Sequence, residues 1–153
     1  MEMKRTIQVY LAVAAVAFAL IGINAMIHPA AAVAGIGLRP DGVAGLNEIR
    51  ASYGGLQLAI ALVAATGLVW RPARLPALAV STVLCAGMAL SRLVSLVVDG
   101  LPPAPMLLWL SLELLATVVG AALLVRNRHH LAPAVQRRRA HSPETAETAS
   151  IDE

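Results

Sequence analysis

The chain has 153 residues, of which 58% are hydrophobic and 14% are charged, and its formal net charge is +3. Soluble domains carry about 25% charged residues, so this composition excludes an ordinary water-soluble domain and favours helices that cross a membrane. The single cysteine, Cys85, excludes a disulfide within the chain.

Four apolar stretches are each long enough to cross a membrane as a helix, which takes about 20 residues. Proline, glycine and aspartate separate them. In chain order, the predicted spans are residues 7–27, 46–70, 75–98 and 106–125. We therefore predict an all-α fold, a four-helix transmembrane bundle. Residues 1–127 form the predicted transmembrane domain, and the polar residues 128–153 are predicted to be a disordered cytoplasmic tail.

The positions of the basic residues predict the orientation of the bundle. Nine of the twelve Lys and Arg residues precede the first span, separate the second from the third, or follow the fourth, whereas the loops on the other side contain only Arg39. The nine are Lys4, Arg5, Arg71, Arg74, Arg126, Arg128, Arg137, Arg138 and Arg139. The positive-inside rule then places both termini in the cytoplasm and predicts a multi-pass protein of the inner (plasma) membrane. Because topology explains most of the basic residues, no nucleic-acid partner is expected.

The first apolar stretch allows a second interpretation, a cleavable signal peptide. Lys4 and Arg5 precede the stretch, and the small residues Ala30–Ala32 follow it. The hydrophobic region of a signal peptide usually has about 7–15 residues. This stretch is longer, so a retained span is favoured over cleavage.

The strongly polar side chains of the spans are predicted to lie in the extracytoplasmic half of the bundle or near its midplane. Ionisable groups in hydrocarbon cost several kcal/mol and normally find partners inside a bundle. An ion pair between Arg92 and Glu113 is the preferred prediction, because antiparallel neighbouring helices would bring the two residues to similar depth. A pair between Arg50 and Glu113 is the alternative.

These polar residues form a candidate site with two interpretations that remain open. They line an outward-facing pocket for a ligand, or they form an ion-pair network that fixes how the helices pack. The candidate ligand-binding residues are Asn47, Arg50, Tyr53, Gln57, Arg92 and Glu113, and the candidate supporting residues are Asn24, Glu48 and Asp99. For Tyr53 and Gln57, a hydrogen-bonding role in the core is favoured over ligand contact.

The sequence contains no group of His, Cys and carboxylate residues with the spacing of a metal site and no cofactor motif. We therefore expect neither a metal nor a cofactor, and catalytic residues stay unassigned. Cys85 lies deep in an apolar span, where an inert core thiol is expected.

The segments "NEIRASYGGLQLAIAL" and "SRLVSLVVDGLP", together with Glu113 in the middle of the fourth span, resemble a family of small bacterial membrane proteins called domain of unknown function 4345. That family is similar to the DoxX-like group of four-helix membrane proteins. The resemblance covers roughly Arg5 to Arg126. Family members often have glycine before the arginine of the second segment, where this chain has Ser91. The resemblance implies a four-helix membrane fold, and it does not imply any activity.

Two classes of function follow. The favoured one is a non-enzymatic membrane protein that binds a membrane lipid, another small lipophilic or amphipathic molecule, a membrane partner or a second copy of itself. The alternative is a small membrane enzyme that acts on a lipid-like or quinone-like substrate, with Glu113 as acid or base held by Arg92. The first is favoured because the sequence offers no clear nucleophile, base, metal site or cofactor site.

Overall fold

A computed structural model describes the backbone of residues 2–127 and the side chains of residues 4–127, and every regular element in that part is helical. In chain order the elements are α1 Glu2–Ile27, α2 Pro29–Ala34, α3 Gly42–Ile49, a π-helix Arg50–Gly55, α4 Leu56–Val69, a 3-10 turn Arg71–Ala73, α5 Arg74–Val98 and α6 Ala104–Asn127. The prediction of an all-α fold is therefore confirmed. The predicted tail, residues 128–153, lies outside the described residues.

Four helical segments are long and apolar enough to cross a membrane: Lys4–Ile27, Gly42–Val69, Arg71–Val98 and Ala104–Asn127. The second is continuous from α3 through the π-helix into α4, so it begins at Gly42, four residues earlier than predicted. Gly42 has a φ of +54°, a left-handed conformation that glycine adopts readily. Gly100, just after the end of α5, also has a positive φ, +93°, and a glycine in this conformation commonly ends a helix.

The four long helices run alternately up and down. α1 packs along α4, α4 packs on α5, and α5 packs on α6, while α1 also touches α5 and α6. One buried apolar cluster joins all four helices at the end of the bundle where α1 begins and α6 ends, which we call the core end. It consists of Ile7, Leu11, Ala64, Ala77, Leu78 and Leu123.

Glycines allow the helices to approach closely, for example at Gly22 and Gly120. A Cβ atom added to Gly22 of α1 would lie 2.8 Å from Leu58 Cγ and 2.9 Å from the carbonyl oxygen of Gly54. A Cβ added to Gly120 of α6 would overlap the side chain of Thr82 on α5. Small residues at such contacts are typical of helix packing in membranes, where the hydrophobic effect does not drive helices together.

Large apolar side chains are exposed along the outside of the bundle, among them Val13, Leu62, Val83 and Val118. Such a surface is unfavourable in water and suits the hydrocarbon of a bilayer. The fold is that of a multi-pass membrane protein.

Candidate functional site

Arg92 and Glu113 form an ion pair between α5 and α6. The Nε–H of Arg92 donates to both carboxylate oxygens of Glu113, at 2.9 Å to Oε2 and 3.0 Å to Oε1. Arg92 lies six residues before the end of α5, and Glu113 lies nine residues after the start of α6. The two helices are antiparallel and joined by a short loop, so these positions have similar depth. The preferred ion pair of the sequence analysis is therefore formed.

The two partners differ in their exposure to the surroundings. The Glu113 side chain is 9% exposed, whereas the Arg92 side chain is 29% exposed. The carboxylate is thus enclosed by the protein, and the guanidinium reaches the surface of the bundle. We call this end the polar end; α1 and α5 end there, and α6 begins there.

The guanidinium of Arg92 keeps hydrogen-bond donors that the chain does not use. An arginine has five N–H donors, and the ion pair occupies only the one on Nε. Nη1 lies 3.7 Å from Met106 Sδ, a weak acceptor. No oxygen acceptor from the described residues 4–127 bonds to Nη1 or Nη2. The terminal nitrogens are therefore available to a group outside the chain.

Arg50 caps the end of α1 and does not form the alternative ion pair with Glu113. Its Nε–H donates to the carbonyl oxygen of Met26, 3.2 Å away in the last turn of α1. A cation that bonds the free carbonyls at a helix C-terminus is favourable. No carboxylate among the described side chains of residues 4–127 forms an ion pair with Arg50. The alternative pairing with Glu113 is wrong, because Arg50 lies against α1 whereas Glu113 faces α5.

Arg74 repeats this arrangement at the core end. Its Nε–H donates to the carbonyl oxygen of Gly67, 3.2 Å away in the last turn of α4. Two of the arginines near the bundle thus cap a preceding helix, and Arg92 differs from both because its partner is a carboxylate.

The π-helix Arg50–Gly55 is a feature that the apolar pattern of the sequence did not predict. Its hydrogen bonds run from i to i+5, and such segments occur often at functional sites. Residues before and after this segment therefore do not keep the angular spacing of a regular helix with 3.6 residues per turn. Tyr53 is half-buried, and so is Gln57. The buried Oε1 of Gln57 has no hydrogen-bond partner among the side chains and backbone described for residues 4–127. Asn47 is exposed.

The candidate supporting residues make local contacts only or stay exposed. Glu48 accepts a hydrogen bond from Ser52, and Asp99 accepts one from Ser95 at 2.7 Å. Each pair is four residues apart on one helix. Asn24 is exposed near the end of α1. The structure does not bring these three residues to the Arg92–Glu113 pair.

A second polar layer, deeper than Glu113, was missed by the sequence analysis. The Tyr10 hydroxyl on α1 faces Thr82 and Cys85 on α5, and Ser81 is fully buried beside them. Tyr10 Oη and Ser81 Oγ have no hydrogen-bond partner among the described residues 4–127. The signal for this layer in the sequence is Tyr10, a polar aromatic residue one turn into an apolar span. Within the part of the chain that the structure describes, no group of His, Cys, Asp and Glu could hold a metal ion.

These features define the chain as a four-helix, multi-pass membrane protein with an enclosed ion pair near one end. It belongs to the family described as domain of unknown function (DUF4345), whose family model matches residues 6–124. No curated protein and no solved structure matches the chain.

Proposed function

We propose that this protein is a non-enzymatic membrane protein that binds the acidic headgroup of a small amphipathic molecule at Arg92. In this proposal Glu113 holds the guanidinium through Nε, and the terminal nitrogens Nη1 and Nη2 bind the headgroup. The apolar part of the ligand lies against the lipid-facing side of α5 and α6. Asn47, Arg50, Tyr53 and Gln57 then support the shape of the polar end, without contact to the ligand headgroup.

The observation that carries the proposal is the incomplete pairing of Arg92. A charged N–H group near hydrocarbon is costly unless an acceptor satisfies it. Glu113 satisfies one donor of the guanidinium, and the Arg92 side chain is 29% exposed toward the bundle surface. A planar guanidinium binds carboxylate and phosphate groups through two parallel hydrogen bonds. A carboxylate or phosphate headgroup is therefore the ligand chemistry that fits.

The alternative, an enzyme with Glu113 as acid or base, has less support. Both carboxylate oxygens of Glu113 accept from Arg92, and the side chain is 9% exposed. A general base needs to lie within hydrogen-bond reach of the proton that it removes. The enclosed position of Glu113 favours a role in holding Arg92 over a role in proton transfer.

We further propose that both termini face the cytoplasm and that the polar end faces away from it, in the inner (plasma) membrane. The distribution of Lys and Arg supports this orientation. A second copy of the chain or another membrane protein remains a candidate partner for the exposed apolar faces.

Binding is tested with parinaric acid, a fluorescent fatty acid that accepts energy from tryptophan. Trp109 lies one turn before Glu113 on α6, and Trp70 lies at the core end. A Trp70→Phe variant in phosphatidylcholine nanodiscs thus keeps one donor near the proposed site. We expect saturable energy transfer from Trp109 to parinaric acid, and weaker transfer to its uncharged methyl ester.

Arg92→Gln should abolish the preference for the acid over the ester. Arg50→Gln is the matched control, because it removes a cation from the same end of the bundle and should keep the preference. If acid and ester bind alike in the parent protein, or if Arg92→Gln keeps the preference, the proposal is wrong.

A further inference from the structure

A groove lies between α2 and α3 at the polar end, apart from the Arg92–Glu113 pair. It has a volume of about 600 Å³, within the range of about 300–1,000 Å³ that is common for small-molecule sites. Its lining is mostly apolar and includes Ala30 and Ala34 from α2 and Val43 and Leu46 from α3. The connecting loop adds Leu38 and Arg39.

Arg39 is the one charged residue that lines the groove. Asp41 is close in sequence but does not line the groove, and its side chain makes no capping bond to the start of α3. The first N–H groups of α3 are therefore left without a side-chain cap. An apolar groove with a cation at its edge is complementary to an amphipathic anion.

The length of the second span places this groove near the lipid headgroups. Gly42–Val69 has 28 residues, which corresponds to about 42 Å of helix and exceeds the hydrocarbon thickness of about 30 Å. Trp70, at the other end of this span, is exposed and suits the opposite membrane interface. With Trp70 at that interface, the first turns of α3 and the groove beside them extend into the headgroup layer.

We propose that the groove between α2 and α3 binds an anionic phospholipid. The phosphate bonds to Arg39, and the glycerol and the upper part of one acyl chain lie against Ala34, Leu38 and Val43. Val43 and Leu38 are exposed in the protein alone, and the lipid would cover them. This site is separate from the Arg92 site and does not depend on it.

The test is native mass spectrometry of lipid adducts on the full-length protein in detergent micelles. Equal amounts of phosphatidylglycerol and phosphatidylcholine are supplied, and the ratio of the two adducts is measured. One arginine near a membrane surface contributes about 1 kcal/mol to the attraction of anionic lipid, or about fivefold in affinity. We expect a preference for phosphatidylglycerol of about that size, and Arg39→Gln should remove it.

Two further variants separate the groove from general surface charge. Ala34→Phe fills the groove and should lower the adducts of both lipids, while Arg39 is retained. Arg71→Gln removes an exposed cation at the core end and should leave the preference unchanged. The proposal is overturned if Arg39→Gln keeps the preference, if Ala34→Phe binds as the parent does, or if Arg71→Gln is the variant that loses the preference.

The source of the anion is tested with oleic acid in the same micelles. We expect oleic acid to displace phosphatidylglycerol weakly, because it lacks the phosphate and the glycerol. Displacement at equimolar oleic acid would show that the groove binds a free carboxylate lipid, and it would overturn the assignment to a phospholipid.

Discussion

Loss of Arg92 should destabilise the protein more than loss of Glu113. Arg92→Gln leaves the Glu113 carboxylate, which is 9% exposed, without its cation. Removal of one partner of a buried ion pair costs about 3–5 kcal/mol. We expect a loss of about 3 kcal/mol, at the lower end of that range, because the Arg92 side chain is 29% exposed.

Glu113→Gln leaves the more exposed Arg92 with an amide oxygen as acceptor, so its loss should be about 1 kcal/mol.

The assay is reversible unfolding by sodium dodecyl sulfate in mixed micelles, followed by circular dichroism. Equal losses in the two variants would refute the asymmetry of the pair. A loss in Arg92→Gln of only about 1 kcal/mol would show that Glu113 does not become an unpaired buried charge.

Three further predictions concern packing, capping and topology. Gly22→Ala should lower the free energy of unfolding by about 1–3 kcal/mol in the same assay, because its Cβ would collide with Leu58. Gly87→Ala is the control, because its Cβ meets nothing within 4 Å, and it should be neutral or slightly stabilising. Equal effects of the two variants would contradict the close approach of α1 to α4. Arg50→Gln should cost about 0.5–1 kcal/mol through loss of the cap on the carbonyl of Met26, and an unchanged midpoint would show that the cap contributes nothing. Reporter fusions should place both termini in the cytoplasm, and a periplasmic signal from either end would contradict the orientation.

The sequence predicts the spans and the main ion pair for clear physical reasons. A helix that crosses a bilayer needs about 20 apolar residues, so the four apolar stretches had few alternatives. A short loop between α5 and α6 brings Arg92 and Glu113 to similar depth, so their pairing followed from counting residues.

Other parts of the site could not be predicted because they depend on backbone register and on which helices touch. The π-helix Arg50–Gly55 changes the hydrogen-bond register without a distinct side-chain pattern. The bond from Arg50 to Met26 depends on the packing of this segment against α1. Tyr10 meets Cys85 only because α1 also touches α5.

If Arg92 binds an acidic headgroup and Glu113 holds Arg92 in place, the two positions of the ion pair are not equivalent. Exchanging the two charges, Arg92→Glu with Glu113→Arg, tests this when stability and parinaric acid binding are measured on the same sample. We expect the exchanged pair to restore most of the stability lost in Arg92→Gln. Acid binding should stay lost, because the arginine then occupies the enclosed position. Full recovery of both stability and acid binding would show that the position of the arginine does not matter, and it would overturn the proposed role of Arg92.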